Sequence, residues 1–334
     1  AALLVIVCIA AMTSGGGAPP PRPPEPAVPI AVPKPPPVKP VAAPRGPDVE
    51  LQMKAQKEKD QAAQLERFLA QIREIVTEGR RLAPRRAEIE AMIASALTQA
   101  GGRRGEVEKL REEFLRRVAL TAHWKLDEAA GGTAEDATGN GHPGELSNGP
   151  ARTTGRVGGA LAFDGVDDGV IVKEIEGLSP QAGPAGEMTL CAWVRVSKLP
   201  SRDGQGRTPL AAKGDQPGWE YALYLVADGR FEFTLWNPNG VTHADVTGSA
   251  VVLDRWHHAA GVYQKGRASV LYVDGKEAAR STAFEGDSRA GASAFFIGRR
   301  GNGQYLAGSV DDVRLYSRAL TAEEIKALFD AAPR

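Results

Sequence analysis

Hydrolysis of a glycosidic bond takes two carboxylates held a fixed distance apart. On a strand, residues i, i+2 and i+4 share a face, so a Glu-x-Asp-x-Glu run would aim two glutamates at one sugar bond. The sequence holds no such run, and its strand-like segments carry single acids such as Glu220 and Glu232. His257 and His258 have no serine or cysteine partner in a recognisable nucleophile turn, and are expected to pack within a sheet. His243 and Asp245 sit two apart, a lone pair too sparse to define base or metal chemistry. The sequence therefore predicts a protein that is not an enzyme.

Asp311 is the most informative acid. In Asp311-Asp312-Val313-Arg314-Leu315-Tyr316, strict alternation puts Asp311 on the side of Val313 and Leu315, and Asp312 with Arg314. If the first side is the core, a carboxylate enters a buried edge and must be paired or bound to a cation. The alternative is that Asp311 caps backbone N–H groups or pairs with an arginine. Asp136, Asn140, Asp164, Asp167 and Asp168 lie in oxygen-rich turns, as metal ligands or as makers of local hydrogen bonds.

Sugar-binding surfaces stack rings on exposed aromatics beside amide and acid groups. Aromatic residues make up 6% of the chain, and most fall within strands. Trp124, Trp193 and Trp256 lie in strand-like segments. Trp219 and Tyr221 follow a Gly-Asp-Gln-Pro-Gly turn, and Trp236 precedes Asn237-Pro238-Asn239-Gly240. Trp219, Tyr221, Trp236, Asn237 and Asn239 are thus the candidate ligand-binding residues. Arg299, Arg300, Asn302 and Gln304 form a polar loop that either lines a site or faces water.

These residues need elements to hold them. The 334 residues carry 41 basic and 41 acidic side chains, a balance that gives no field for nucleic acid or an anionic membrane. Residues 1–14 open with an uncharged apolar run. Its 12 residues, AALLVIVCIAAM, fall short of the roughly 20 needed to span a bilayer. They read as part of a signal peptide or of a transmembrane segment, the only part of the chain expected at a membrane. Lipoprotein processing at Cys8 is a weak alternative, because Val7 is bulky. Residues 15–48 are proline-rich and should form an extended spacer. Residues 49–119 switch to helix. Ala62, Leu65, Leu69, Ile72 and Val76 form one apolar seam. Ile89, Met92, Ile93 and Leu97 face inward on a second helix started by Pro84, which Gly101-Gly102 breaks. Val107, Leu110, Phe114 and Val118 mark a third. The region is either a small helical unit or a short coiled coil that makes a homo-oligomer.

From residue 120 to 334, short alternating runs are separated by Gly, Asn and Asp turns, the pattern of an antiparallel sandwich. Asp274-Gly275 suits a type I′ hairpin turn. Thr321 with Glu324 forms a capping box for a last helix. Cys8 and Cys191 are expected to stay apart, and Cys191 to be a buried small hydrophobe.

The segment Trp124-Lys125-Leu126-Asp127-Glu128 resembles the opening strand of laminin-G-like, concanavalin A-like lectin/glucanase jelly rolls of the bacterial type. Asp136–Gly141, Gly159–Asp168, Ala192-Trp193-Val194, Trp256–Ala260, Tyr272–Lys276 and Gly308–Tyr316 continue the pattern in order. The resemblance implies an all-β antiparallel jelly-roll sandwich with a concave face. It also implies a structural calcium ion joining Asp311 to Asp127 or Leu126 and to the carbonyl of Gly165; Asp136, from its oxygen-rich turn, is the further candidate metal ligand. Since the fold hosts lectins, adhesion modules and hydrolases, the function expected is a non-catalytic extracytoplasmic binding module. It would be anchored in the cell envelope or secreted, with a glycan or a surface protein as partner. A structural, oligomerising envelope protein and a diverged glycoside hydrolase are the alternatives.

Overall fold

The structure, a computed structural model, describes residues 47–78, 86–173, 177–180, 186–201, 206–215, 217–240, 242–282, 287–301 and 303–333. The expected apolar N-terminal segment, Cys8 and nearly all of the proline-rich spacer lie outside the described residues, as does Pro84. Two compact units are distinguished, 1–54 and 55–334.

Helices α1 (Pro47–Glu78), α2 (Arg86–Gln99) and α3 (Arg104–Val118) come first. Leu65, Leu69 and Ile72 of α1 share one buried cluster with Ile89 and Ile93 of α2 and with Val107, Leu110 and Phe114 of α3. The apolar seam is thus used within the chain. Ala62, at its start, is exposed. Gly101 takes a left-handed φ of 48° at the break between α2 and α3. None of the described helices is long and apolar enough to cross a membrane.

Two eight-stranded antiparallel sheets follow. The first contains β1 (Leu120–Trp124), β4 (Ala151–Thr154), β5 (Gly159–Asp164), β7 (Met188–Val196), β12 (Trp256–Gln264), β13 (Ala268–Val273), β14 (Lys276–Ser281) and β18 (Ala307–Tyr316), in the order β14-β13-β12-β7-β18-β5-β4 with β1 also on β18. The second contains β2 (Thr133–Ala134), β3 (Gly144–Ser147), β6 (Gly169–Val172), β8 (Arg207–Lys213), β9 (Tyr221–Val226), β10 (Arg230–Trp236), β11 (Thr242–Ala250) and β15 (Phe295–Ile297), in the order β11-β10-β9-β8-β15-β6-β3-β2. A small hairpin of β16 (Arg299–Arg300) and β17 (Gln304–Tyr305) packs beside β8.

One core fills the space between the sheets. Leu190, Ala192, Val194 and Val196 of β7 face Leu223, Leu225, Phe231 and Phe233 of the second sheet within it. Trp124 stacks on Phe295 across the layers at 4.8 Å, and its indole N–H donates to the His142 carbonyl at 2.7 Å. At the β13–β14 turn, Asp274 and Gly275 have φ of 49° and 74°, the two positive values a type I′ turn requires. Helix α4 (Ala322–Asp330) begins at the Thr321–Glu324 capping box and lays Ile325 on the outer face of the first sheet, against Cys191, Ala260 and Tyr272.

Candidate functional site

Strand β18 changes partner partway along. Ala307–Val310 pair with β5, and Val313–Tyr316 pair with β1. Asp311 and Asp312 stand in the gap. Asp312 has a φ of 50°, and the register against β7 shifts between Asp311 and Arg314. This bulge inserts a residue and reverses the parity of the strand. Asp311 therefore does not share the side of Val313 and Leu315. It lies opposite Trp193, which lies opposite His258, on the outer face of the first sheet. Asp312 receives His123 at 2.6 Å and Arg314 at 2.9 Å.

Asp311 is fully buried. Its Oδ2 accepts the N–H groups of Arg156 and Val157 at 2.6 and 2.7 Å. These belong to the turn between β4 and β5, which crosses the gap. Oδ1 has no hydrogen-bond partner. Burial, with the Asp312 and Asp127 charges nearby, pushes the Asp311 carboxyl up to about 7 against the pull of the two turn N–H groups. Asp127 Oδ1 accepts the N–H of Gly159 at 2.6 Å from the other end of the same turn. A Cβ on Gly159 would meet the Leu126 carbonyl oxygen at 3.0 Å. Leu126, 1% exposed, holds a φ of 61°, a conformation costly for a leucine and of the kind found where a backbone group is aimed for use.

Asp311, Asp127 and the Leu126 carbonyl are thus brought around one turn, and the orphaned buried carboxylate oxygen is what an oxygen-ligated cation would satisfy. These three fit a calcium ion. The other two expected ligands do not. Gly165 packs on Ala307, four residues before Asp311 on β18, or about 13 Å along a strand. Asp136 is spent on its own turn: Oδ1 accepts the N–H groups of His123 and Thr138 and the Thr138 hydroxyl, and Oδ2 the His142 N–H. Asp164, Asp167 and Asp168 bring carboxylate oxygens within 4.8 Å of one another. Asp164 Oδ1 accepts from Val166 and Asp167, and Asp168 Oδ2 accepts from Asp164, which is the local hydrogen-bonding alternative.

The outer face of the second sheet holds the remaining candidates. Tyr221 points the other way. It is fully buried between the sheets, and its hydroxyl donates to the Leu178 carbonyl at 2.6 Å, so it is not a ligand residue. Alternation along β9 and β10 puts Ala222, Tyr224, Thr234 and Trp236 outward. Trp236 is only 2% exposed and Trp219 is half-buried; the two rings meet edge to face at 5.4 Å. They are covered rather than presented, because Arg300 of β16 lies over them. Its guanidinium is 4.9 Å from the Trp219 ring, 5.0 Å from Trp236 and 5.5 Å from Tyr224. Asn237 and Asn239 form a turn beyond Trp236, with Asn237 Oδ1 accepting the Asn239 N–H at 3.0 Å. Asn302 and the side chains of His243 and Asp245 lie outside the described residues.

Beside the stack a cleft of about 420 Å³ opens, lined among others by Lys198, Arg207, Thr208, Gln304 and Tyr305. Arg207 pairs with Glu232 at 2.9 Å and sits 5.4 Å from the Tyr224 ring. Sequence reasoning missed this cleft, because register alone brings β8, the 198–201 segment and the small hairpin together. It also missed the buried Lys213–Glu220 pair, 2.8 Å apart, in which Lys213 Nζ donates to the carbonyls of Gly291 and Ser293 as well. Ser179 donates to the other Glu220 oxygen at 2.6 Å, so this glutamate is held by structure on both sides. His257 Nδ1 meets Asp274 at 2.9 Å and its Nε2 accepts the Val252 N–H. Both histidines are buried in the sheet.

Two sheets stacked over one core, with the chain entering and leaving as observed, define a lectin-like sandwich. Residues 163–326 match the model of the concanavalin A-like lectin/glucanases superfamily. Similar solved structures share the fold. One is the binding domain of Paraclostridial Mosquitocidal Protein 1, at 19% identity and a TM-score of 0.53, over 64% of this chain and 52% of that one. This chain thus spans about half the length of that relative. Another is domain 4 of AbnA, an extracellular arabinanase of Geobacillus stearothermophilus, in complex with arabinotriose. It is 21% identical with a TM-score of 0.50, over 63% of this chain and 97% of that one. No curated protein matches the chain.

Proposed function

We propose that the sandwich is a non-catalytic glycan-binding module working outside the cytoplasm, with its site on the outer face of the second sheet. The observation that carries this reading is the aromatic stack of Trp219, Trp236 and Tyr224 beside an open cleft. The acids at that face are held singly, Glu220 just before β9 by Lys213 and Glu232 of β10 by Arg207, which supports binding rather than hydrolysis. One structural relative is a binding domain, and another was solved with arabinotriose; both fit this use of the fold. A glycan array probed with the full chain tests the reading. Binding to at least one glycan class, weakened about tenfold or more by Trp219→Ala, is expected; an array silent at every position overturns it.

A structural calcium ion held by Asp311, Asp127 and the Leu126 carbonyl is part of the same proposal. The ion would neutralise two facing carboxylates and fix the gap where β18 changes partner. Calcium should raise the melting temperature by several degrees, and Asp311→Asn should abolish that gain. Equal melting with calcium and with chelator overturns the ion.

A further inference from the structure

Arg300 is a buried cation, 3% exposed. Such a charge is normally paired with a carboxylate. Among the described residues none lies within ion-pair distance of it. Its Nε donates to the Gly214 carbonyl at 3.2 Å, three aromatic rings surround its plane, and Nη2 has no partner. The neighbouring Trp219 indole N–H is buried and unpartnered as well. Two donors of one stack therefore lack an acceptor, an arrangement that native proteins seldom leave without a reason. Burial and the nearby Arg207 charge pull the Arg300 guanidinium down to about 10, partly opposed by Asp215.

Among its described residues the adjoining cleft is lined by Lys198, by Arg207, which is paired with Glu232, and by no carboxylate. Gln304, which pairs with Arg300 across the small hairpin, lines the cleft too, so the orphan donors lie one strand behind the cleft wall. A guanidinium edge and an indole N–H match the planar oxygens of a carboxylate.

From these observations we infer that Arg300, Trp219 and the cleft form a carboxylate subsite, so that the glycan this domain takes is an acidic one built on uronic acids. This rests on the glycan-binding reading above and names its substrate class.

The test is calorimetric titration of the full chain with oligomers of galacturonic, glucuronic and mannuronic acid and with their carboxyl-reduced counterparts. At least one acidic oligomer should bind ten times more tightly than its reduced form. Trp219→Phe keeps the ring and removes the N–H; it should weaken the acidic oligomer three- to tenfold more than its carboxyl-reduced counterpart. Arg300→Lys should weaken it more, with the folded state checked by melting. Equal binding of acidic and reduced oligomers, or unchanged acidic affinity in folded Trp219→Phe, overturns the inference and leaves the glycan reading standing. Displacement of the oligomer by acetate at matched carboxylate concentration overturns the assignment to a sugar. Silence toward these and every glycan on the array sinks the underlying reading.

Discussion

The outer faces of the two sheets use similar residues to different ends. On the first, Trp193 is sandwiched by Phe329 of α4 at 5.5 Å and by Arg156 at 5.2 Å. On the second, Trp219 and Trp236 carry Arg300. Each face pairs an arginine with tryptophan and leaves buried polar atoms without partners: Asp311 Oδ1, the Trp193 indole N–H and His258 Nδ1 on one, Arg300 Nη2 and the Trp219 indole N–H on the other. The first face is roofed by a capped helix and a β-turn, and its orphan acid suits a cation. The second is roofed by a hairpin of two-residue strands next to an open cleft, and its orphan donors suit an anion. What lies on top of a sheet, more than what the sheet carries, separates a structural face from a binding face.

Breaking the Lys213–Glu220 pair should have the largest effect. Lys213→Met leaves a buried carboxylate without its cation and should cost about 4 kcal/mol, read by urea unfolding. Burial already pushes the Glu220 carboxyl up despite Lys213, so adding Glu220→Gln should recover much of the loss. No recovery would mean that the staple acts through packing alone.

Trp193→Ala should cost about 3 kcal/mol by emptying the space between Arg156 and Phe329, yet leave glycan affinity of the folded fraction unchanged. Loss of affinity without loss of stability would invert the comparison of the two faces.

The Asp311 carboxyl gives a pH signature in chelator. Its folded value of about 7 lies above the unfolded one, near 3.9. The native state therefore holds the proton more tightly, and stability should fall as pH rises from about 4 through 7, by up to about 4 kcal/mol. Calcium should flatten that slope and Asp311→Asn should remove it. A slope untouched by the substitution would reassign the titration. His258, pushed down to about 4 by burial, works in the opposite direction between about 4 and 6.5.

Thr321→Ala should have the smallest effect. It removes the hydroxyl that accepts the Glu324 N–H and should cost about 1 kcal/mol, with calcium-dependent melting retained. A larger loss would show that α4 holds the first face more tightly than its cap implies.

Local patterns were legible in the sequence because their causes are local. The Asp274-Gly275 turn, the Thr321–Glu324 cap, the break at Gly101 and the alternation of the strands follow from backbone sterics and hydrogen bonding within a few residues. The ordered run of family-like segments likewise fixed the sandwich. The resemblance offers Asp127 or Leu126 beside Asp311, and both adjoin the turn whose N–H groups Asp311 accepts. Gly165 and Asp136 were not separable from them, because the sequence carries no distances.

Tertiary structure decided which side each side chain takes and what covers it. A single bulge at Asp312 moved Asp311 to the opposite face from the one alternation gives. The start of β9 turned Tyr221 into the core, and register slid Arg300 over the tryptophans. A period of two is exact only while no residue is inserted. Cover comes from segments far apart in the chain, so no local pattern records it.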